Sequence, residues 1–211
     1  MFVDCCDTNT SRDIEPSAGV LGDNYYMQMV DEIRKFKNSV AAQKSGGISV
    51  YTDYEDDTAP RDAPGVGSSL IYTDNSGRND IVKMTIEQQG ADFIFTVEAK
   101  DALTPSTDAN WMTLFINING GGWEGYGYVI GRETPGLVER SKGGWEWEAV
   151  GQADWAVDGK KLTLTVPRGL LGNPPAFQFK WADNYTPGDV YSFYTRGDAA
   201  PLGRLNYRWQ P

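Results

Sequence analysis

From Val82 onward the chain alternates apolar and polar residues with a period of two. Val82, Met84 and Ile86 alternate with Lys83, Thr85 and Glu87, the pair Gln89-Gly90 interrupts the run, and Phe93, Phe95, Val97 and Ala99 resume it. Successive side chains of a strand point to opposite faces, so this stretch predicts a hairpin with one face buried and the other wet. Trp111 to Ile118 is apolar at odd and even positions alike, which predicts a strand covered on both faces, ended by Asn119-Gly120-Gly121-Gly122. Trp155 and Val157 lead into Asp158-Gly159, a hairpin turn pair, and Leu162, Leu164 and Val166 return before Pro167 closes the strand. Phe177, Phe179 and Trp181 alternate with Gln178 and Lys180 and place three aromatic rings on one face. About eight to ten short strands separated by turn signals predict an all-β fold, a two-sheet antiparallel β-sandwich of the jelly-roll or immunoglobulin-like kind.

The N-terminal portion follows a different rule. Met1 to Gly22 has no stable period and reads as loop. Between Asp23 and Lys37, Tyr26, Met29, Val30, Ile33 and Phe36 recur at spacings of three and four, with Asp23 or Asn24 as cap and Arg34, Lys35 and Lys37 in the last turns. This predicts one amphipathic α-helix, which cannot bury its own stripe and must dock on something else. Ser39 to Gly47 reads as a linker, so the expected division is a loop-and-helix segment over 1–40 and a sandwich over 41–211.

Charge and inventory narrow the chemistry. The 211 residues carry a formal net charge of -10, a field that repels phosphate backbones and anionic lipid, so neither nucleic acid nor membrane is an expected partner. Neutral glycans and cations remain open. The chain has no histidine, which excludes Ser-His and Cys-His nucleophile pairs and His-ligated zinc. Cys5 and Cys6 are adjacent, and neighbours in a strand point apart, so both are expected as free thiols. The start of the chain has no basic n-region and no long apolar run, so no signal peptide is expected in it.

Several motifs occur in a telling order: Tyr72-Thr73-Asp74-Asn75-Ser76-Gly77-Arg78-Asn79-Asp80, then Trp111-Met112, then Gly122-Trp123-Glu124-Gly125-Tyr126. Phe179-Lys180-Trp181-Ala182-Asp183-Asn184 follows, then Gly197-Asp198-Ala199-Ala200-Pro201 and Gly203-Arg204. With these, the chain from about Tyr51 to its end resembles the DOMON-like, family-9-type carbohydrate-binding β-sandwiches of bacterial glycoside-hydrolase-like proteins. The aspartate-glycine-tryptophan opening of such modules is missing, and Tyr51 to Asp62 stands in its place. Asn24-Tyr25-Tyr26 and Asp31-Glu32-Ile33-Arg34 look like the end of the barrel that precedes the sandwich in longer relatives. The resemblance implies a sandwich fold, an extracellular or periplasmic location, and a non-catalytic module that binds polysaccharide or oligosaccharide beside a glycoside-hydrolase-like catalytic domain. The alternative is a structural or interaction domain that docks to such a barrel and has no ligand of its own.

Sugar binding needs flat aromatic faces for the apolar side of a pyranose and polar groups at the rim. Trp123 follows a glycine loop and is expected to be exposed. Tyr126 and Tyr128 are expected on one face, opposite the bare strip of Gly125 and Gly127, which admits either a ligand or a large core side chain; Tyr126 is a candidate binding residue, with core packing as the ordinary reading. Trp145 and Trp147 share a face at strand spacing and form a candidate platform, although core packing is the ordinary reading of such a pair. Trp181 is assigned to the core, while Asp183 and Tyr185, at the strand end, are rim candidates. Asp53, Glu55, Asp56 and Asp57 offer oxygen donors for calcium, with Asp53, Asp56 and Asp57 as the candidate ligands. They lack the spacing of a known calcium loop, and a solvated acidic loop is the ordinary reading. Asp198 and Arg204 are expected to form an ion pair that fixes the last strand. Carboxylates are plentiful enough for a glycosidase, but no motif supports one.

Overall fold

The structure, a computed structural model, describes residues 43–45, 47–58, 62–64, 69–71, 76–118, 125–189, 192–202 and 205–211. The expected helix over 23–37, Trp123 and Arg204 lie outside the described residues. The strands are β1 Gln43–Ser45, β2 Ile48–Thr52, β3 Asp62–Pro64, β4 Ser69–Ile71, β5 Ile81–Gln89, β6 Asp92–Ala99, β7 Thr113–Asn117 and β8 Tyr128–Ile130. They continue as β9 Leu137–Gly143, β10 Glu146–Gln152, β11 Asp154–Asp158, β12 Lys161–Pro167, β13 Phe177–Asp183, β14 Asp198–Ala200 and β15 Tyr207–Trp209. A four-residue helix, α1, spans Ser192–Thr195. Among the described residues, no helix is long and apolar enough to cross a membrane.

The fold is an all-β sandwich. The first sheet runs β1-β2-β5-β6-β12-β11 and the second β10-β9-β8-β7-β13, and every pairing is antiparallel. On the far edge of β13, β14 pairs with Trp181 to Asp183 and β15 with Phe177 to Phe179, so the C-terminal chain runs along that edge in two pieces.

The alternation in the sequence becomes the core. Phe93, Phe95, Val97, Leu162, Leu164 and Val166 face inward from the first sheet and meet Phe177, Phe179 and Trp181 of the second, all at 3% exposure or less. Rings from opposite sheets touch: Tyr51 stands edge-on to Phe179 at 4.9 Å, and Phe93 contacts Phe177 at 5.2 Å and Trp209 at 4.9 Å. Such pairs add about 0.5–1.5 kcal/mol each beyond the area they bury.

In β5 the sequence pattern is displaced by one residue. Ile81 pairs with Ala99 and Lys83 with Glu98, so two residues of β5 oppose one of β6, a β-bulge at Val82. Ile81 therefore takes the buried position expected for Val82, which is only half-buried. The backbone N–H of Ile81 turns to the Asp198 carboxylate at 2.5 Å and ties the first sheet to the edge of the second.

The strand over Trp111 to Ile118 is covered on both faces, as its composition predicts, and β7 is buried along its whole length. Leu114 and Ile116 enter the main core. Phe115 points the other way and joins Tyr126, Val129, Ala182, Tyr185, Phe193 and Ala199 in a second apolar cluster, with Trp145 and Trp147 packed against it. The outer face of the second sheet is thus capped by aromatic side chains rather than left to water.

Candidate functional site

The hairpin β9–β10 closes with Gly143 paired to Glu146. Its central residues, Gly144 and Trp145, have φ of 60° and 66°. Positive φ at both positions is the backbone of a type I′ turn, whose twist matches that of the flanking strands and which normally carries Asn-Gly or Gly-Gly. A tryptophan there accepts about 1–2 kcal/mol of backbone strain that glycine avoids. Strain of this kind collects where a side chain is held for a purpose.

The turn brings two indoles together. Trp145 and Trp147 meet edge to face at 6.1 Å with an interplanar angle of 72°, and Trp145 stands edge-on to Phe115 at 6.1 Å. Both are half-buried. They line an open cleft of about 560 Å³, together with Tyr126, Ser141 and the backbone of Gly143 and Gly144. Arg140, at its edge, donates from Nε to Glu148 at 2.9 Å, which holds the Glu148 carboxyl below its usual range. The expected pairing of Trp145 and Trp147 through strand spacing is realised differently: a register shift separates Glu146 from Trp147, and the turn makes the contact.

A direct consequence concerns stability. Trp145→Gly is expected to be more stable than Trp145→Ala by about 1 kcal/mol in urea unfolding, because both lose the indole and only glycine relieves the left-handed backbone. Equal midpoints for the two variants would contradict a strained turn.

Tyr126 and Tyr128 do not share a face. Tyr128 is in the main core with Ile116, whereas Tyr126 lies before β8 begins, packs on Phe115 at 5.0 Å and donates to Asn206 Oδ1 at 2.9 Å. Alternation holds only once the chain is a paired strand, and at Tyr126 it is not yet one. Trp181 is buried in the main core, as expected.

The rim roles expected for Asp183 and Tyr185 are corrected. Asp183 is fully buried, accepts Arg78 Nε at 2.7 Å and the Met112 N–H at 3.0 Å, and has no surface to offer a ligand. Burial pushes its carboxyl up, against the opposing pull of Arg78. Tyr185 is 1% exposed within the second cluster, and burial pushes its hydroxyl up to about 12. Both lie past the apparent strand end, where sequence suggests exposure. Phe193 of α1 covers Tyr185, at 6.0 Å between rings, and Arg196 Nε donates to the intervening Asn184 carbonyl at 3.0 Å, while Arg78 and the Met112 N–H enclose Asp183.

A second constellation forms at the opposite end of the sequence pattern. Asp53, Asp57 and Asp198 each bring a carboxylate oxygen into a group whose members all lie within 4.8 Å of one another. Asp198 is 2% exposed; its Oδ2 accepts Ile81 N–H, while Oδ1 has no hydrogen-bond partner among the described residues. Asp53 Oδ2 and Asp80 Oδ1 are likewise buried without a partner there. Burial, reinforced by repulsion from Asp57, pushes the Asp53 and Asp198 carboxyls well above the usual range. Lys180 is fully buried nearby and its Nζ donates to the Pro201 carbonyl; burial pushes the ammonium down to about 7, against the pull of Asp53 and Asp198.

Of the expected calcium ligands, Asp53 and Asp57 enter this group and Asp56 does not. The Asp56 carboxylate takes Lys100 Nζ at 2.6 Å, and its N–H donates to Asp80 Oδ2 at 2.8 Å. Asp56 has a φ of 65°, in the left-handed region. Asp198 was not among the expected ligands because no local spacing links it to Asp53; only the pairing of β14 with β13 brings it there.

No family model matches the chain, and no curated protein matches it.

Proposed function

We propose that the sandwich is a non-catalytic carbohydrate-binding module of the DOMON-like, family-9 type, which holds a neutral polysaccharide or oligosaccharide in the cleft at Trp145 and Trp147. The observation that carries this reading is the strained turn. It presents one indole edge to face with another beside an open cleft, where a smaller residue would fit the backbone better. An edge-to-face pair offers one ring to stack on the apolar side of a pyranose and a second to wall it. Arg140, Ser141 and the glycine backbone supply donors and acceptors for hydroxyls.

The charge pattern favours a neutral ligand. Among the described residues, Arg140 is the charged one lining the cleft, and Glu148 already neutralises it. With a net charge of -10 over the chain, phosphorylated or uronic ligands are repelled. A module of this kind raises the local concentration of substrate for a glycoside-hydrolase-like catalytic domain joined to it.

Affinity electrophoresis against a panel of soluble neutral polysaccharides, followed by calorimetry, tests the proposal. Trp147→Ala is expected to weaken binding at least tenfold, about 1.4 kcal/mol or more, with an unchanged circular dichroism spectrum. Retardation by no polysaccharide in the panel would remove the proposal. It would leave the reading as an interaction domain, which one observation favours: Trp155 and Val157 stand 41% and 43% exposed on the edge strand β11.

A further inference from the structure

We infer that the edge strand β11 takes up an extended peptide of a partner protein as one more antiparallel strand. The peptide it fits carries a basic residue, an apolar one, any residue, a second apolar one and a second basic one, in that order. The inference stands apart from the glycan reading, because no residue of β11 lines the cleft.

Among the described residues β11 ends the first sheet, and all five of its residues are exposed. Its pairing with β12 uses one side of the main chain. Ala153, just before the strand, directs its N–H away from β12, to the Gly136 carbonyl at 2.8 Å. Main-chain groups of alternate residues in a strand point the same way, so Trp155 and Val157 turn their N–H and C=O groups to the free edge. The turn at Gly159 and Lys160 agrees with this assignment. A two-residue turn closes on a hydrogen-bonded pair, here Asp158 and Lys161, which makes Ala156 and Asp154 the next residues bonded to β12.

The side chains on this edge are prepared for cover. Trp155 and Val157 stand opposite Leu164 and Leu162, both buried, so they lie on the core side of the sheet. They are 41% and 43% exposed because the core layer runs on past the last strand. Trp155 is held in place: its ring stands edge-on to Trp111 at 6.5 Å, and a Cβ on Gly136 would lie 3.0 Å from Trp155 Cδ1. An aromatic fixed in this way loses little rotamer freedom when a partner covers it, as an interface anchor requires. An added strand supplies main-chain hydrogen bonds and lays its own apolar residues over both side chains.

Charge selects the occupant. Edge strands are commonly guarded by charged residues against pairing with any strand they meet. The guards of β11 are Asp154 and Asp158, one at each end and both on the face away from the core. Neither forms an ion pair among the described residues, since Lys161, opposite Asp158, is turned to Glu98 at 3.6 Å and Lys160 to the same carboxylate at 2.9 Å. In an antiparallel partner the residues opposite Asp154 and Asp158 are four apart. A lysine or arginine at each meets a carboxylate, while the residues between them face Val157, Ala156 and Trp155 in turn. A second copy of this chain fits poorly. In the register that uses all five residues, Asp154 of one copy stands opposite Asp158 of the other, and each chain carries a net charge of -10.

The test uses the whole chain and a synthetic peptide, acetyl-SKVTVKS-amide, followed by calorimetry. Saturable binding is expected, and replacing both peptide lysines by glutamate is expected to weaken it at least about tenfold. N-methylation of the two valines, whose N–H groups meet Trp155 and Val157, is expected to abolish binding, whereas N-methylation of the central threonine, whose N–H points away, is tolerated. Trp155→Ala is expected to weaken binding at least about tenfold. Asp154→Lys combined with Asp158→Lys is expected to reverse the preference, from the lysine peptide to the glutamate peptide. Should that double variant fold poorly, Asp154→Lys alone, away from the turn, is expected to narrow the preference by at least about threefold. The inference is overturned by the absence of binding at millimolar peptide, by equal affinity for the two peptides, or by undiminished binding of the peptide with methylated valines. A dimer of the free chain in sedimentation that Trp155→Ala dissolves would also overturn it, because the edge would then belong to a second copy.

Discussion

Asp183→Ala is expected to destabilise the domain by about 3–5 kcal/mol, measured by equilibrium unfolding in urea. Asp183 has no exposed surface and accepts Arg78 Nε at 2.7 Å and the Met112 N–H at 3.0 Å, with the Asn79 side chain also hydrogen-bonding it. Removing the carboxylate leaves a donor unpaired in the interior and strands a guanidinium that is only 15% exposed. Arg78 retains the Ala109 carbonyl at 2.7 Å and Asp108 at 3.5 Å, which places the effect toward the lower end of that range. If loss of the pair is the cause, Arg78→Met in the Asp183→Ala background costs less than the sum of the single changes, by about 0.5–3 kcal/mol. Additive effects would show that Asp183 acts through partners other than Arg78, the Met112 N–H among them. In either case the proposed glycan binding of the folded fraction is expected to stay unchanged, since Asp183 does not line the cleft.

Gly197→Ala should be at least as damaging, with a loss above about 4 kcal/mol or failure to accumulate as folded protein. Gly197 has a φ of 58°, and a Cβ there would sit 1.9 Å from the Asp183 carbonyl oxygen and 2.9 Å from the Asn184 carbonyl carbon. These are main-chain atoms at the end of β13 and cannot rotate aside as a side chain would. Gly159→Ala separates the two contributions: its φ is 59°, but a Cβ there meets nothing within 4 Å. It is expected to cost only about 1–2 kcal/mol, the strain of the left-handed backbone. Similar losses for the two variants would mean that the close approach at Gly197 does not matter.

Both predictions fall in Phe179 to Asn184 and Gly197 to Pro201, the motifs on which the resemblance to family-9-type modules most depends. Their physical content is architectural. Asp183 satisfies Arg78 and Met112, Gly197 lets two segments of main chain touch, and Asp198 holds the bulge at Ile81. They specify how the C-terminal edge closes, and the indoles proposed to meet a sugar come from a different hairpin.

The strands were legible where one face is buried and the other wet, because a period of two has one physical cause. β6 and β12 follow the expected alternation residue for residue. β5 departs from it at Val82, since a bulge adds a residue to one strand without altering the composition of either. The cleft was legible in part. Trp145 and Trp147 stand out by type and spacing, but what unites them is a left-handed turn that no glycine or asparagine announces at position 145. Asp183 and Tyr185 were misplaced because polarity at a strand end suggests solvent, whereas Phe193 of α1 returns over Tyr185, and Arg78 and Met112 close on Asp183.

The sequence by itself determined the class of fold, the composition of the main core, the lack of any histidine and the net charge of -10. These depend on local periodicity and on sums over residues, which order along the chain is enough to supply. The tertiary structure alone decided which residues meet across long separations. It gathered Asp198 with Asp53 and Asp57, withdrew Asp56 toward Lys100, sealed Asp183 and Tyr185, and left Trp145 and Trp147 beside open space. Those outcomes follow from strand order and from where the chain reverses, and neither carries a signature in the spacing of the residues it unites.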